Sequence, residues 1–223
     1  MGSRGRLAGV AGGVVVVAVA IGFYIAGWAT TGPPPFTPVA HVSGTSRSVD
    51  LTIETVGAIG PKYSTNPDWV SFLVRNNSGS WVHTTVWRLP ANAVVHVTLY
   101  NFDSASGLRN PFLGEPQGLV GPEQVDGKAI TALPPDQPSH TFAVPELGIL
   151  VPIAPVPDSA KNTCNFAPCT LSNDHRTMTF TFRTGKPGHY RWQCFVPCAA
   201  GWIYGFGGPM QSLGYMDGFL NVV

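Results

Sequence analysis

Charged side chains are scarce in this chain. Its 13 Lys and Arg and 12 Asp and Glu make up 11% of 223 residues, less than half of the roughly 25% usual in soluble proteins. The formal net charge is only +1, and no run of Lys or Arg supplies the basic patch of a nucleic-acid binder, so DNA and RNA are not expected as partners. No Ser-His-Asp order, glycine-rich phosphate loop or pair of catalytic carboxylates stands out, and no independent enzyme site is read. Internal repeats are absent, as is helical periodicity beyond the first thirty or so residues. Histidine is sparse, with 6 in all, and none follows His189. Cysteine occurs 4 times, too few for a small fold stapled throughout by disulfides.

What the chain has in quantity is Gly (26) and Pro (21), with many Val, Thr and aromatic residues. This is the composition of short strands joined by turns, and an all-β domain is expected. Ahead of it, residues 7–29 (LAGVAGGVVVVAVAIGFYIAGWA) carry no charge. As a helix this run would measure about 34 Å, enough to cross a bilayer core, so a single N-terminal transmembrane helix is expected. Arg4 and Arg6 precede it and the next basic residue is Arg47. The positive-inside rule then sets residues 1–29 as cytoplasmic N-terminus and anchor in the cytoplasmic membrane, single-pass, with the C-terminal domain outside the cytoplasm. A cleaved signal peptide is the rival reading, but the run exceeds the roughly 7–15 apolar residues of such peptides, and Gly27-Trp28-Ala29 is a poor cleavage site. Residues 30–48, rich in Pro, Gly and Ser, read as a spacer. Residues 49–223 read as the extracytoplasmic domain, with strands at 49–55, 69–75, 81–89, 94–101, 177–183 and 189–194. Turn-rich insertions without periodicity fall at 102–138 and 154–174.

Two stretches carry metal chemistry. Gly188-His189-Tyr190-Arg191-Trp192-Gln193 runs as a strand into Cys194-Phe195-Val196-Pro197-Cys198, and the chain closes on Met216-Asp217-Gly218. Thiolate and thioether sulfurs are soft ligands that select copper. The other stretch is Ser139-His140-Thr141-Phe142-Ala143-Val144-Pro145-Glu146-Leu147-Gly148. Together with Pro90-Ala91-Asn92 and the strand after it, over about residues 85–223, these segments resemble cytochrome c oxidase subunit II, whose domain is a cupredoxin carrying the dinuclear CuA centre. The resemblance implies a cupredoxin-like Greek-key β-sandwich. It further implies copper held by His140, the thiolates of Cys194 and Cys198, the carbonyl of Val196 and the thioether of Met216, under aromatic cover from Phe195 and Trp202.

The family loop, C-x-x-x-C-x-x-x-H-x-x-M, also supplies a second histidine. Its place falls on Trp202 counting forward from Cys198 and on Leu213 counting back from Met216. His189 has the wrong strand parity to replace it, because Tyr190, Trp192 and Cys194 share the other face, and His96 alternates with inward Val95 and Val97. His41, His83 and His175 are not placed by the sequence. A single copper with one nitrogen and up to three sulfurs is therefore expected, or a dinuclear site completed by a donor such as Gln211 or a distant histidine. The Trp-x-Trp-x-Tyr electron entry of the family is also missing, with Trp69, Trp81 and Trp87 spread apart, so the redox donor is expected to differ.

The resemblance implies one-electron transfer as a subunit II-like component of a respiratory heme-copper oxidase. Partners would be the membrane, other oxidase subunits and an unknown redox donor, with catalysis in another subunit. Two further readings are a metal-free structural or assembly subunit of the same fold and a copper carrier or chaperone. Four cysteines in an exported domain allow three pairings. Cys194 and Cys198 are read as ligands against a small disulfide loop. Cys164 and Cys169, outside the matching segments, are expected to bridge each other.

Overall fold

The computed structural model describes residues 3–30, 39–41, 43–44, 47–63, 68–198 and 208–223, with side chains described for 9–23, 47–63, 68–198 and 208–223. The chain divides into two units, Met1–Pro35 and Phe36–Val223. The first holds an α-helix, Ser3–Thr30. Among the described residues, no helix is long and apolar enough to cross a membrane. The side chains described in this helix are those of residues 9–23, which span only about 22 Å at 1.5 Å per residue, short of a hydrocarbon core of about 30 Å. The expected transmembrane helix over 7–29 extends beyond them on both sides.

The second unit is built from strands β1 (Val39–His41), β2 (Ser43–Gly44), β3 (Ser48–Val56), β4 (Ser71–Arg75), β5 (Trp81–Val82), β6 (Val86–Leu89), β7 (Val94–Asn101), β8 (Glu123–Val125), β9 (Lys128–Ile130), β10 (His140–Val144), β11 (Ile149–Ile153), β12 (Arg176–Arg183), β13 (Gly188–Gln193) and β14 (Asp217–Val222). One sheet runs β1-β6-β14-β13-β10-β11 and the other β5-β4-β3-β7-β12-β8-β9, with β2 beside β3. The pairs β3–β7 and β6–β14 are parallel. The chain passes from one sheet to the other between β1 and β2, β5 and β6, β6 and β7, β9 and β10, β11 and β12, and β12 and β13, crossings of the kind that a Greek-key sandwich requires. This is a mostly-β, two-sheet sandwich.

Alternation decides which faces meet. Along β7, Val95, Val97 and Leu99 are buried while His96 is exposed, and along β12 Met178, Phe180 and Phe182 point inward. Between the sheets Trp87 stacks on Trp192 with centroids 4.7 Å apart, and Phe72 and Phe142 approach Trp192 at 4.9 and 5.3 Å. Each indole N–H finds an oxygen, Trp87 Nε1 donating to Thr84 O at 2.9 Å and Trp192 Nε1 to Thr85 O at 3.1 Å. A buried indole N–H usually finds such a partner, which offsets its loss of water.

Three boundaries move. Part of the expected spacer over 30–48 joins the sandwich, since β1 pairs with β6 and β2 with β3; residues 31–38 lie outside the described residues. The strand expected over 81–89 breaks into β5 and β6, with Thr84 Oγ1 accepting from Val86 N at 3.2 Å. The insertion 102–138 contains a hairpin, β8–β9, whose tip is Asp126-Gly127 with φ of 50° and 78°. Two consecutive positive φ values are what a tight hairpin turn demands, and Asp-Gly supplies them. The insertion 154–174 is pinned by the disulfide Cys164–Cys169, as expected, and Cys194 and Cys198 are free thiols.

Candidate metal centre

Strand β10 begins where β13 ends, joined by the pair Ala143 and Gln193. Their common end therefore brings His140 and Thr141 against the loop that leaves β13 at Cys194. The ring of His140, Cys194 Sγ and Cys198 Sγ converge, each offering a ligand atom within 4.8 Å of the others. His140 Nδ1 lies 2.9 Å from Cys198 Sγ, and the two sulfurs are 3.3 Å apart. The carbonyl of Val196 sits 3.4 Å from Cys194 Sγ and 3.1 Å from Cys198 Sγ, so the sequence-derived carbonyl donor is turned toward both thiols. All four residues are buried.

Met216 is also fully buried. Cys194 N–H donates to its carbonyl at 3.0 Å, and its own N–H donates to Pro209 O at 3.1 Å, which fixes its backbone beside the first cysteine. Gly218 of the same motif has a packing origin: a Cβ there would stand 2.0 Å from Thr85 O and 2.6 Å from Trp192 Nε1. Phe195 is 38% exposed, and Trp202 lies outside the described residues. Leu213 is partly buried and forms a bridge with Asp217. Gln211 is exposed in the 3-10 turn Gly208–Gln211.

The histidines other than His140 whose side chains are described, which leaves out His41, are engaged elsewhere. His83 Nε2 contacts Gly214 O and its ring packs against Tyr63 and Tyr215. His96 meets Thr181 Oγ1 at 3.2 Å on the surface, His175 meets Asn173 O at 2.8 Å, and His189 meets Asn221 Oδ1 at 2.7 Å. Among the described residues, the cluster holds one imidazole.

Sequence reasoning missed three residues. Asp103 Oδ2 lies 3.1 Å from His140 Nε2, an arrangement that leaves Nδ1 facing the sulfurs, and its place two residues past the clear strand β7 was the only signal. Thr141 N–H points at Cys194 Sγ at 3.3 Å while its Oγ1 accepts from Phe195 N at 2.7 Å. Met210 Sδ accepts from Cys198 N at 3.4 Å, twelve positions along a chain too irregular for spacing to reveal.

Electrostatics follow from this packing. Burial alone would raise the Cys194 thiol, but hydrogen bonds from Cys198 and His140, the His140 charge and the Thr141 N–H hold it well below the ordinary thiol range. Cys198 moves the other way, raised by its hydrogen bond to Cys194, by burial and by the charges of Cys194 and Asp103. Burial lowers His140, yet hydrogen bonds and charges from Asp103 and Cys194 outweigh it and bring it up to about 9. The cluster thus stabilises a thiolate before any metal arrives, as a copper ligand requires.

The donor set fits copper. Two thiolates, an imidazole and a carbonyl in a buried pocket form a soft shell with too few hard oxygens for Mg²⁺ or Ca²⁺. A cleft of about 250 Å³ lined by Asp103, Ser104, Ser106, Ser139, Pro197 and Cys198 opens at the rim and gives the cluster access from solvent.

Neither a protein-family model nor a curated protein matches the chain. Solved structures of rusticyanin are similar. One titled as a copper protein is 16% identical, with 83% of this chain and 82% of that one covered and a TM-score of 0.35. A methionine-to-glutamine mutant is 19% identical over 87% of each chain at a TM-score of 0.36. The protein from Thiobacillus ferrooxidans is 16% identical over 83% and 82% at 0.33. At these values the likeness adds nothing to what the strand order above establishes.

Proposed function

We propose that this chain is a copper-binding electron-transfer protein of cupredoxin-like fold, serving as a subunit II-like component of a membrane oxidase. The observation that carries it is the convergence of His140 with Cys194 and Cys198 around the Val196 carbonyl, at one end of a two-sheet sandwich. Bound copper supplies one-electron chemistry there. The protein's part is to hold two thiolates and an imidazole at fixed positions, so that the ligand shell changes little between oxidation states. Trp192, two residues before Cys194, and Met216, whose carbonyl accepts from Cys194 N, are buried and keep bulk water from the inner face.

Membrane attachment belongs to this reading through the uncharged run of residues 7–29, and so does an outside location for the copper domain. Val196 and Met216 complete the proposed ligand set. The full chain, expressed with copper, is expected to hold the metal in a fixed stoichiometry with a sulfur-to-copper charge-transfer spectrum, and to pass one electron per site to an oxidant. Loss of copper in Cys194→Ser supports the site. Unchanged copper content in both Cys194→Ser and His140→Ala eliminates it.

A further inference from the structure

We infer that Met210 is a copper ligand, taking the place of the second imidazole that the loop lacks. This rests on the copper reading above. The thioether of Met210 is hydrogen-bonded to the cysteine loop: the N–H of Cys198 donates to Met210 Sδ at 3.4 Å. A thioether sulfur carries two lone pairs, so accepting this bond leaves one free for a soft cation and orients it beside the second cysteine.

The turn that carries it is held by three hydrogen bonds, one of them to Met210 itself. Gln193 Nε2 donates to Met210 O at 2.5 Å, Met216 N donates to Pro209 O at 3.1 Å, and Ser212 Oγ donates to Gly208 O at 2.9 Å. Gln193 immediately precedes Cys194, so the turn Gly208–Gln211 is tied to both ends of the ligand-bearing segment. The positions that sequence counting assigned to a second histidine offer no comparable donor among the described residues: Leu213 is apolar and bridged to Asp217. Histidines 83, 96, 175 and 189 are engaged elsewhere. A thioether in the imidazole's place makes the shell richer in sulfur and tilts it toward Cu(I).

Selenium tests this directly, because the chain has only 4 Met: Met1, Met178, Met210 and Met216. Full-length protein grown with selenomethionine and loaded with Cu(I) is read by copper analysis and by X-ray absorption at the selenium edge. The expected result is a copper–selenium scattering shell that survives in Met216→Leu and loses amplitude in Met210→Leu. A shell of unchanged amplitude in copper-loaded Met210→Leu, or one abolished by Met216→Leu alone, overturns the assignment. Should Met210→Leu fail to fold, the Met216→Leu measurement still decides. Wild-type protein that takes up no copper overturns the functional reading as well, and that failure is recognised from the copper analysis before any selenium spectrum is taken.

Discussion

Asp103 Oδ2 lies 3.1 Å from Nε2 of His140, on the side of the ring away from Cys198. The carboxylate therefore holds a proton on Nε2 and turns Nδ1 toward the sulfurs, so that Nδ1 is the nitrogen left to bind once a metal displaces its proton, and it does so from a position 31% exposed in its side chain. Its ionised form is favoured: burial raises the acid, but the hydrogen bond and charge of His140 and the Ser104 N–H bring it below the ordinary carboxylate range. Removing such an outer partner of a ligating histidine costs about 10- to 100-fold in metal affinity. Asp103→Ala should weaken copper binding by that factor in competition with a Cu(I) chelator, and equal affinity would show that the carboxylate does not orient the ring.

The 3.3 Å between Cys194 Sγ and Cys198 Sγ exceeds a disulfide by little more than 1 Å. With the thiolate character of Cys194, the metal-free protein treated with diamide should close a Cys194–Cys198 bond, each thiol giving up one electron and one proton to the reagent. Copper uptake should then fall to background and return with dithiothreitol. Peptide mapping that leaves both thiols alkylatable after diamide would contradict the geometry.

The disulfide Cys164–Cys169 encloses a short loop, with a sequence separation of 5. Loop-closure entropy for so few residues amounts to about 2 kcal/mol. Replacing both cysteines by Ser should lower urea stability by about that much. Copper content should not change, since neither sulfur belongs to the His140 cluster.

Gly218 is fixed by contact, not by metal. The Thr85 carbonyl that a Cβ would strike at 2.0 Å accepts from both Phe219 N and Trp192 Nε1, so it cannot retreat without loosening two bonds. Gly218→Ala should destabilise by about 1–3 kcal/mol, the usual cost of overpacking. An unchanged urea midpoint would mean that β14 and β6 can separate more easily than their packing implies.

Much of the sandwich was legible because its signal is local. Val94–Asn101 alternates so regularly that β7 has the bounds read from sequence, and its burial pattern confirms His96 as outward. His140, Val196 and the cysteine pair were legible because the segments that carry them, Ser139–Gly148 and Cys194–Cys198, resemble ligand-bearing motifs of a known family. The Asp126-Gly127 turn was equally readable, yet three-residue strands on either side give too short a period to register. Asp103, Thr141 and Met210 were not read from the sequence: each meets the cluster through a tertiary contact between residues 12 to 53 apart, for which a single chain carries no periodic trace.

The last expectation concerns Glu123, buried on β8 with both carboxylate oxygens lacking a hydrogen-bond partner among the described residues. Desolvation by burial raises it from 4.5 to about 9. Glu54 on β3 is raised to about 8 by burial, against the Cys169 backbone and the Lys62 charge. A carboxyl raised in the folded state keeps its proton while the unfolded chain, at about 4.5, gives its proton up. Its contribution is therefore fully present below pH 4.5 and is lost as pH rises toward about 8 for Glu54 and about 9 for Glu123. Between those limits each group should lower stability by about 1.4 kcal/mol per pH unit. Urea midpoints of the wild type should fall across this window, and Glu123→Gln, which carries no charge to release, should remove one of the two slopes and be more stable than wild type near pH 8. Parallel curves for Glu123→Gln and wild type from pH 5 to 9 would mean that Glu123 ionises in the folded protein as easily as in the unfolded chain.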